Sequence, residues 1–414
     1  MDKLFEGWYE SNRLKISDNF MRYLSIDTSS PNEYRAFDFL KEYLSSINFE
    51  IEKQCFHPNT YTHELFTPHK HSNTDSSSYN LKAINNDKID QQKSQSKVLF
   101  NIHIDVVPNS NSFPEGFSPI IKNNYLYGRG ACDTKNNLIM LVEAIRFLKE
   151  NNIPINKQIE MDLVIEEEIT GNGTLSSNLH GIDADVIIVM EPTNLQLFRG
   201  HRGVITAEIE VTGKPVHMGS DVTGVNAIEG IYDVIKGLKV FEQEMLEEAR
   251  LHDGFNCWDK PLQINVGKIE GGQWAGSVPE NCKILANVGF TDKYTLHEIQ
   301  EKIRKICTNT KNNWVNNNIS ITFNELKNAA YLTNENDSYL NEFLEIINSN
   351  KSKPQHKTYG WRVSCDAHYY HTLAKKPTLI FGSGDLSDAH SSHEKVDLEE
   401  FKQGVKILAK YLAY

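Results

Sequence analysis

The stretch Val98-Leu-Phe-Asn-Ile-His-Ile-Asp-Val-Val-Pro108 is the most informative segment of this 414-residue chain. Its β-branched and apolar residues predict a buried strand, which Pro108 ends. Side chains two positions apart share one face of a strand, so His103 and Asp105 are expected side by side near its carboxyl end. A carboxylate beside an imidazole is the arrangement that orients a histidine ligand on a metal. For this segment alone, a core histidine satisfied by hydrogen bonds remains the alternative.

Length, charge and cysteine usage narrow the class of protein. A chain of 414 residues exceeds what one hydrophobic core usually serves, so two domains are expected. The net charge of −12 argues against nucleic acid or an anionic membrane as the main partner, although ordinary acidic solubility explains it equally well. No apolar signal region or membrane-length apolar run is present, and the six dispersed cysteines suit reduced thiols. We therefore expect a cytoplasmic protein that acts on a small molecule.

Strand and helix patterns alternate from residue 98 onward, which is typical of an α/β sheet with buried strands. The pattern changes near residue 203, where a β-α-β-β-α-β order predicts a separate open-faced sandwich. After residue 325 the first pattern resumes. The sequence therefore predicts a mostly parallel sheet sandwiched by helices, built from residues 1–202 and 326–414, with residues 203–325 as an inserted lid or dimerisation domain.

Further histidine and acidic residues follow the predicted strands. In open α/β sheets, ligands collect beyond the carboxyl ends of the strands. Alone, an aspartate in the Gly128–Lys135 loop could be a helix cap, and the acidic run 166–168 could be solvated. Together these positions offer only nitrogen and oxygen ligands and one central carboxylate able to bridge, which suits two divalent ions, most plausibly zinc, with cobalt or manganese as alternatives. The candidate ligands are His103, Asp133, Glu168, Glu191 and His390.

These segments resemble a family of dinuclear zinc hydrolases that includes acetylornithine deacetylase, succinyl-diaminopimelate desuccinylase, aminoacylase and glutamate carboxypeptidase. The resemblance extends from about residue 80 to the end of the chain. The stretch Gly271-Gly-Gln-Trp-Ala-Gly-Ser-Val-Pro279 is similar to the deacetylase branch in particular. The motifs that carry the resemblance are Asn101-Ile-His-Ile-Asp-Val-Val-Pro108, Gly128-Arg-Gly-Ala-Cys-Asp-Thr-Lys135, Glu166-Glu-Glu-Ile-Thr-Gly171, Glu191-Pro-Thr193, Gly213-Lys-Pro-Val-His217 and Ala389-His390 through Glu394.

The resemblance implies a role for each ligand candidate. His103 and His390 would each bind one metal, and Asp133 would bridge the two ions. Glu168 and Glu191 would complete one coordination shell each.

Three further residues receive catalytic roles from the resemblance. Asp105 would fix the tautomer of His103, and Glu167 would be the general base that moves a proton from a metal-bound water to the departing amine. His217 would face the developing oxyanion when the domains close. Because dimeric relatives supply that histidine from the other subunit, the resemblance also implies a homodimer through the inserted domain, which the mass of the protein in solution would test.

The implied activity is hydrolysis of the amide bond of an N-acyl amino acid or a similar small acylated amine. A dipeptidase or carboxypeptidase on the same scaffold is the alternative, and a member that binds a ligand without turnover is a third reading.

The chain departs from the family at positions that face the substrate or support the site. Asn136-Asn137 stands where paired glycines are common. Gly276 and Gly289 replace an asparagine and an arginine that hold a substrate carboxylate in many members, and Asp366-Ala-His368 replaces Asp-Ala-Arg. We therefore expect Gly276 and His368 near the substrate, with Arg362 supplying the missing cation.

Overall fold

The structure is a computed structural model that describes residues 1–69, 78–85, 96–350 and 355–414. The α-helices are α1 (Asp2–Leu24), α2 (Phe37–Ser45), α3 (Lys135–Glu150), α4 (Asn172–Leu179), α5 (Ala227–Arg250), α6 (Leu296–Cys307), α7 (Asn313–Asn317), α8 (Ser338–Asn350), α9 (Ala367–Thr372) and α10 (Leu398–Ala413). The strands are β1 (Phe49–Cys55), β2 (Tyr79–Asn85), β3 (Lys97–His103), β4 (Ile120–Lys122), β5 (Tyr125–Tyr127), β6 (Gln158–Val164), β7 (Val186–Val189), β8 (Phe198–His201), β9 (Gly203–Thr212), β10 (Ile264–Gly271), β11 (Asn281–Phe290), β12 (Ile319–Thr322), β13 (Lys327–Asn328), β14 (Tyr331–Leu332), β15 (Tyr359–Trp361), β16 (Thr378–Ile380) and β17 (Lys395–Asp397). None of the helices in these ranges is long and apolar enough to cross a lipid bilayer.

The chain divides into two compact units. The first contains Met1–Arg199, Thr333–Thr358 and Tyr369–Tyr414, and the second contains Gly200–Leu332 and Tyr359–His368. The predicted inserted domain, residues 203–325, lies within the second unit. Residues 326–332 and Tyr359–His368, predicted as part of the catalytic domain, also group with the second unit.

The first unit is built on a sheet with the strand order β1-β2-β6-β3-β7-β16-β8. The four central strands β6, β3, β7 and β16 are mutually parallel, and β2 and β8 run antiparallel to their neighbours. Helix α3 contacts β3 and also packs against α1 and α10, while α4 contacts β2 and β6. The prediction of a largely parallel α/β sheet is confirmed, and the carboxyl ends of its central strands meet at one edge.

Strand β3 ends earlier than its sequence predicts, at His103 instead of near Val107. The amide of Ile104 still donates to the Val164 carbonyl at 2.9 Å. Beyond it, the buried Asp105 carboxylate accepts backbone N–H groups of the segment that follows β6. The chain therefore leaves the sheet at the point where its polar side chains begin, because those side chains bind the neighbouring loop.

The second unit contains an antiparallel sheet of order β10-β11-β9-β12, with β13 also paired to β9. Alternate residues of β9, namely Ile205, Ala207, Ile209 and Val211, are buried against the sheet's own helices α5 and α6. Helix α5 begins after Asn226, whose side chain accepts the first free amides. The element order matches the predicted β-α-β-β-α-β pattern.

Candidate metal centre

Two histidines and two carboxylates meet at the carboxyl edge of the first unit's sheet. His103 Nε2 lies 3.0 Å from Asp133 Oδ1, and His390 Nε2 lies 3.3 Å from Asp133 Oδ2 and 2.9 Å from Glu168 Oε2. The ligand atoms of His103, Asp133 and Glu168 all lie within 4.8 Å of one another. Asp133 therefore has one oxygen toward each histidine, as a bridging carboxylate would.

The backbone sets the positions of these side chains. His103 is the last residue of β3, and Asp133 lies just before α3. His390 has a φ of 58° in the left-handed region, which residues other than glycine adopt at a cost.

The buried aspartate that follows His103 acts mainly on the neighbouring loop. Asp105 Oδ1 and Oδ2 accept the backbone N–H groups of Glu167 and Glu168 at 3.3 and 3.0 Å. Its carboxylate is 3.6 Å from His103 Nδ1, whereas its carbonyl oxygen is 3.0 Å from that atom. The Asp105 carbonyl oxygen is thus the nearer acceptor for a proton on His103 Nδ1, an arrangement that would leave Nε2 for a metal. The role predicted for the Asp105 carboxylate stays a prediction.

The three glutamates of the acidic run 166–168 have different surroundings. Glu166 has a φ of 64°, and its Oε2 accepts from Thr170 Oγ1 at 2.8 Å and Asn172 Nδ2 at 3.2 Å. Glu168 belongs to the cluster, and Glu167 lies between them, half-buried. The reversal of the backbone at Glu166 separates three adjacent carboxylates that would otherwise repel one another.

The ionisable groups of the cluster shift one another's pKa values. Burial alone would raise the pKa of Asp133, but hydrogen bonds to His103 and His390 hold it well below its usual range. Hydrogen bonds to Asp133 and Glu168 raise the pKa of His390 to about 10. Burial and the nearby Asp133 charge raise the pKa of Glu168. The carboxylates of the cluster thus favour positively charged groups beside them.

The residues fit a divalent metal. Glu168 Oε1 is buried and has no hydrogen-bond partner in the described part of the chain, an arrangement that is costly unless a ligand satisfies it. The donor set is imidazole nitrogen and carboxylate oxygen without thiolate, which suits zinc, cobalt or manganese. Glu191, the fifth predicted ligand, is buried directly after β7 at the same edge of the sheet but lies outside the close group of three.

The paired asparagines that replace the usual glycines tie the start of α3 to the turn at 382–384. Asn137 Nδ2 donates to Thr134 Oγ1 at 2.7 Å, and its Oδ1 accepts the Ser383 amide at 2.9 Å. Asn136 Nδ2 donates to the Ser383 carbonyl at 2.7 Å. Both asparagine side chains are fully buried. This departure from the family pattern therefore strengthens the link between the start of α3, which follows Asp133, and the turn at 382–384, which precedes His390.

Glu394, the last residue of the motif that begins at Ala389, received no role from the sequence but is a buried glutamate beside the cluster. Glu394, 1% exposed, accepts from Arg129 Nη1 at 2.7 Å and from three backbone amides around Asp133. Burial raises the pKa of Glu394 to about 7 and Arg129 opposes that rise. Four N–H donors bond the carboxylate, and the buried Cys132 thiol also interacts with it. Convergence of N–H donors favours the ionised form of the acid. Its partners lie more than 260 residues earlier in the chain, so no local pattern could have indicated them.

The remaining predicted site residues lie in the second unit. His217 is exposed, and its Nδ1 accepts the Gly219 amide at 3.1 Å. Gly276 lies under Trp274, whose ring would be 2.4 Å from a Cβ at that position. His368 is fully buried, and burial and the nearby His201 lower its pKa well below 6.5. Burial thus disfavours the charged form of His368, and its predicted substrate-facing role stays a prediction.

Two arginines of the second unit, which we call the arginine patch, are joined by a hydrogen bond from a side chain to a backbone carbonyl. Arg362 is exposed and its guanidinium lies 5.2 Å from the Trp258 ring centroid. Arg202, which sequence reasoning missed, donates from Nε to the Arg362 carbonyl at 2.6 Å, and burial lowers its pKa to about 10. A Cβ at Gly289 would lie 3.1 Å from Arg202 Nη1, so the arginine occupies the space that a side chain at position 289 would need. Neither arginine has an ion pair with a carboxylate of the described residues.

A cavity of about 380 Å³ lies in the first unit. Glu33, Tyr34, Tyr79 and Glu166 are among its lining residues. Glu33 is 6% exposed and accepts the Ser30 hydroxyl. Burial raises its pKa to about 7, with further contributions from Asp105 and Glu166.

This shift predicts a pH-dependent stability. Because the folded pKa of Glu33 lies above its ordinary value of 4.5, folding favours the protonated acid, and its contribution is lost as the pH rises through about 7. Relative to wild type, Glu33→Gln is expected to be neutral or slightly destabilising at pH 5 and stabilising by about 1–3 kcal/mol at pH 8. Thermal unfolding of chelator-treated protein between these pH values measures the difference. The exposed Glu345→Gln is the control, and a Glu33→Gln difference as flat with pH as the control's would contradict the prediction.

The α/β fold and the carboxylate–histidine cluster define a metallohydrolase. Residues 99–414 match Peptidase family M20/M25/M40, and the chain belongs to that family. Members of this family hydrolyse amide bonds, and this chain is therefore an amide-bond hydrolase.

Two relatives and one solved structure illustrate the breadth of the similarity. The N-formyl-4-amino-5-aminomethyl-2-methylpyrimidine deformylase of Bacillus subtilis (strain 168) is 24% identical, over 98% of this chain and 94% of the relative. Acetylornithine deacetylase of Buchnera aphidicola subsp. Schizaphis graminum is 26% identical, over 91% of this chain and 89% of the relative. The crystal structure of a tripeptidase from Staphylococcus aureus superposes with a TM-score of 0.74 at 18% identity, covering 97% of this chain and 98% of that one. At that identity the structure is informative about the fold alone.

Proposed function

We propose that the protein is a deacylase that removes an acyl group from the nitrogen of a small amino-acid-like amine. The observation that carries the proposal is the Asp133 carboxylate, which has one oxygen near each of two histidines. The half-buried Glu167 directly precedes Glu168, a proposed ligand. The two relatives described above are named for removing a formyl and an acetyl group, which favours an acyl group over an amino acid as the part released.

His103, Asp133, Glu168, Glu191 and His390 would hold two divalent ions, of which zinc is the best fit to the donor set. Bound divalent ions supply Lewis acidity for hydrolytic attack on an amide carbonyl.

The chain's own residues perform the proton transfers and the positioning. Glu167 accepts a proton from the attacking water and passes it to the departing amine nitrogen. The Asp105 carboxylate binds the backbone N–H groups of Glu167 and Glu168. The backbone that carries the base is therefore fixed without a contribution from the Glu167 side chain. In this proposal His217 donates a hydrogen bond to the developing oxyanion.

The arginine patch of the second unit favours a substrate with an anionic group. Arg202 and Arg362 carry two positive charges with no carboxylate partner among the described residues, and a planar guanidinium binds a carboxylate in bidentate fashion. The substrate class we propose is therefore an N-acyl amine that carries a carboxylate.

A substrate panel tests the proposal. The protein loaded with Zn²⁺ or Co²⁺ is incubated with N-formyl, N-acetyl and N-succinyl amino acids and with dipeptides, and the products are separated by mass. We expect release of the acyl acid from at least one acylated substrate. Cleavage of dipeptides alone would assign the peptidase alternative, and no turnover of any compound by metal-loaded protein would favour a ligand-binding role.

The arginine patch leads to a separate prediction. Arg362→Ala is expected to raise KM for an anionic acylated substrate by about 10- to 100-fold, the usual effect of losing one charged hydrogen bond, with little change in kcat. Arg304→Ala is the matched control, because Arg304 is also exposed in the second unit and lies 5.1 Å from the Phe323 ring centroid. If both variants changed KM equally, Arg362 would have no specific role in binding.

A further inference from the structure

We infer that Glu394 is a positioning residue that holds the Asp133 loop and the His390 loop in a single metal-binding arrangement. The inference rests on the metal centre of the proposed function. It concerns a side chain that touches neither metal nor substrate in that proposal and acts through Asp133.

Three backbone amides converge on one oxygen of Glu394. Glu394 Oε1 accepts the amides of Gly130, Cys132 and Asp133 at 2.9, 3.2 and 3.2 Å. Successive amides that point at one anionic oxygen form a concave anion site, which is stronger than the same number of neutral hydrogen bonds. The conformation of the loop up to Asp133 is therefore set by this carboxylate.

The Glu394 carboxylate is itself held in place by Arg129. Glu394 Oε2 accepts from Arg129 Nη1 at 2.7 Å, and both side chains are at most 2% exposed. The Gly128 amide donates to the Glu394 carbonyl at 3.2 Å. Strand β17, which follows Glu394, pairs antiparallel with β5, and Lys395 lies opposite Tyr127. Continued by one residue, this register places Glu394 opposite Gly128, the residue before Arg129.

The position of Glu394 in the chain connects the two loops. It lies four residues after His390, so one short segment carries a histidine of the cluster and the anchor of the opposite loop. Asp133 in turn contacts both His103 and His390. Loss of the Glu394 charge should therefore loosen the carboxylate that is shared by both proposed metal positions.

The experiment measures metal binding by Glu394→Gln in the full-length protein. Divalent affinity is obtained by chelator competition with Zn²⁺, and coordination geometry by the visible absorption of the Co²⁺ form. We expect both Zn²⁺ affinities to fall by about 10- to 100-fold, the usual effect of losing an outer-shell partner, and the Co²⁺ spectrum to change. The substituted side chain keeps one oxygen acceptor, so its NH₂ group must face either the three backbone amides or the Arg129 guanidinium, which are all donors.

A matched control separates positioning from general stability. Glu143 is another buried glutamate of the same unit, 3.2 Å from Arg146 Nε and hydrogen-bonded to Tyr43 Oη at 2.6 Å. Glu143→Gln should lower the melting temperature without changing metal affinity or the Co²⁺ spectrum. If Glu394→Gln does not fold, Arg129→Gln keeps the carboxylate and its three amide contacts and should show a smaller loss in the same direction.

The outcomes distinguish this inference from the proposed function. A wild-type protein that binds no divalent ion would overturn both. A wild-type protein that binds two ions, with a folded Glu394→Gln or Arg129→Gln variant of unchanged affinity and spectrum, would overturn the positioning role and leave the proposed function intact.

Discussion

Glu167→Ala is expected to lower kcat by about 10²- to 10⁴-fold while the protein still binds its metals, because general acid–base catalysis contributes effects of that size. Glu167 is not among the close ligand group of His103, Asp133 and Glu168. Its backbone amide is bound to Asp105 Oδ1 at 3.3 Å, so truncation of the side chain leaves the loop and the neighbouring Glu168 in place. The measurement is steady-state kcat together with metal content by mass spectrometry.

The neighbouring acid provides a control for this prediction. Glu166→Gln changes a carboxylate one residue away that contacts Thr170 and Asn172, so we expect a stability effect with kcat close to wild type. The pH profile of kcat/KM should lose its acidic limb in Glu167→Ala only. Substantial residual activity would place the base elsewhere, and loss of one metal would make Glu167 a ligand instead.

The sequence predicted those parts of the fold and the site for which a local pattern and a general rule of sheet topology are enough to locate the residues. Strand ends are indicated by the apolar run that stops at His103 and by the acidic residues that follow β6 and β7. Because these strands are parallel, their carboxyl ends lie together. The order β9, α5, β10, β11, α6, β12 likewise follows from periodicity. Strand β1 was missed because its polar residues leave only Phe49 buried, as befits the edge of the sheet.

The features that sequence did not predict depend on contacts between distant segments. Glu394 contacts residues that precede it by 261 to 265 positions, and Arg202 fills space left by Gly289, 87 positions later in the chain. The pairing of Asp105 with the amides after β6 is of the same kind, since a carboxylate near a histidine offers two acceptors and only the folded chain shows which donors approach them. His368 was assigned to the substrate by analogy of motif, whereas its environment is fully buried.

The second large effect is expected for Asp133→Asn. In the described residues, Asp133 is the carboxylate that contacts both histidines, with Oδ1 3.0 Å from His103 Nε2 and Oδ2 3.3 Å from His390 Nε2. An asparagine has nearly the same shape but presents a donor in place of one of these oxygens. It can therefore serve at most one of the two proposed metal positions.

We expect Asp133→Asn to retain at most one weakly bound ion and to lose activity by more than about 10³-fold, since metal Lewis acidity contributes several kcal/mol to transition-state stabilisation. His390→Ala should instead retain one ion, because His103, Asp133 and Glu168 remain together. Metal content after gel filtration and Zn²⁺ titration of the chelator-treated variants measure both effects.

Asp162→Asn is the matched control, because Asp162 is also buried in the first unit's sheet and accepts a hydrogen bond from Tyr370 Oη at 3.0 Å. That change should reduce stability without altering metal stoichiometry. The comparison separates the loss of a buried carboxylate from the loss of a bridging one. Ser177 and Tyr370 donate hydrogen bonds to the Asp162 carboxylate. The pKa of Asp133 is instead lowered by two histidines, which metals would replace as its partners. An Asp133→Asn protein that holds two ions as tightly as Asp162→Asn would show that the ions are bound without a shared carboxylate, and the proposed dinuclear centre would then be wrong.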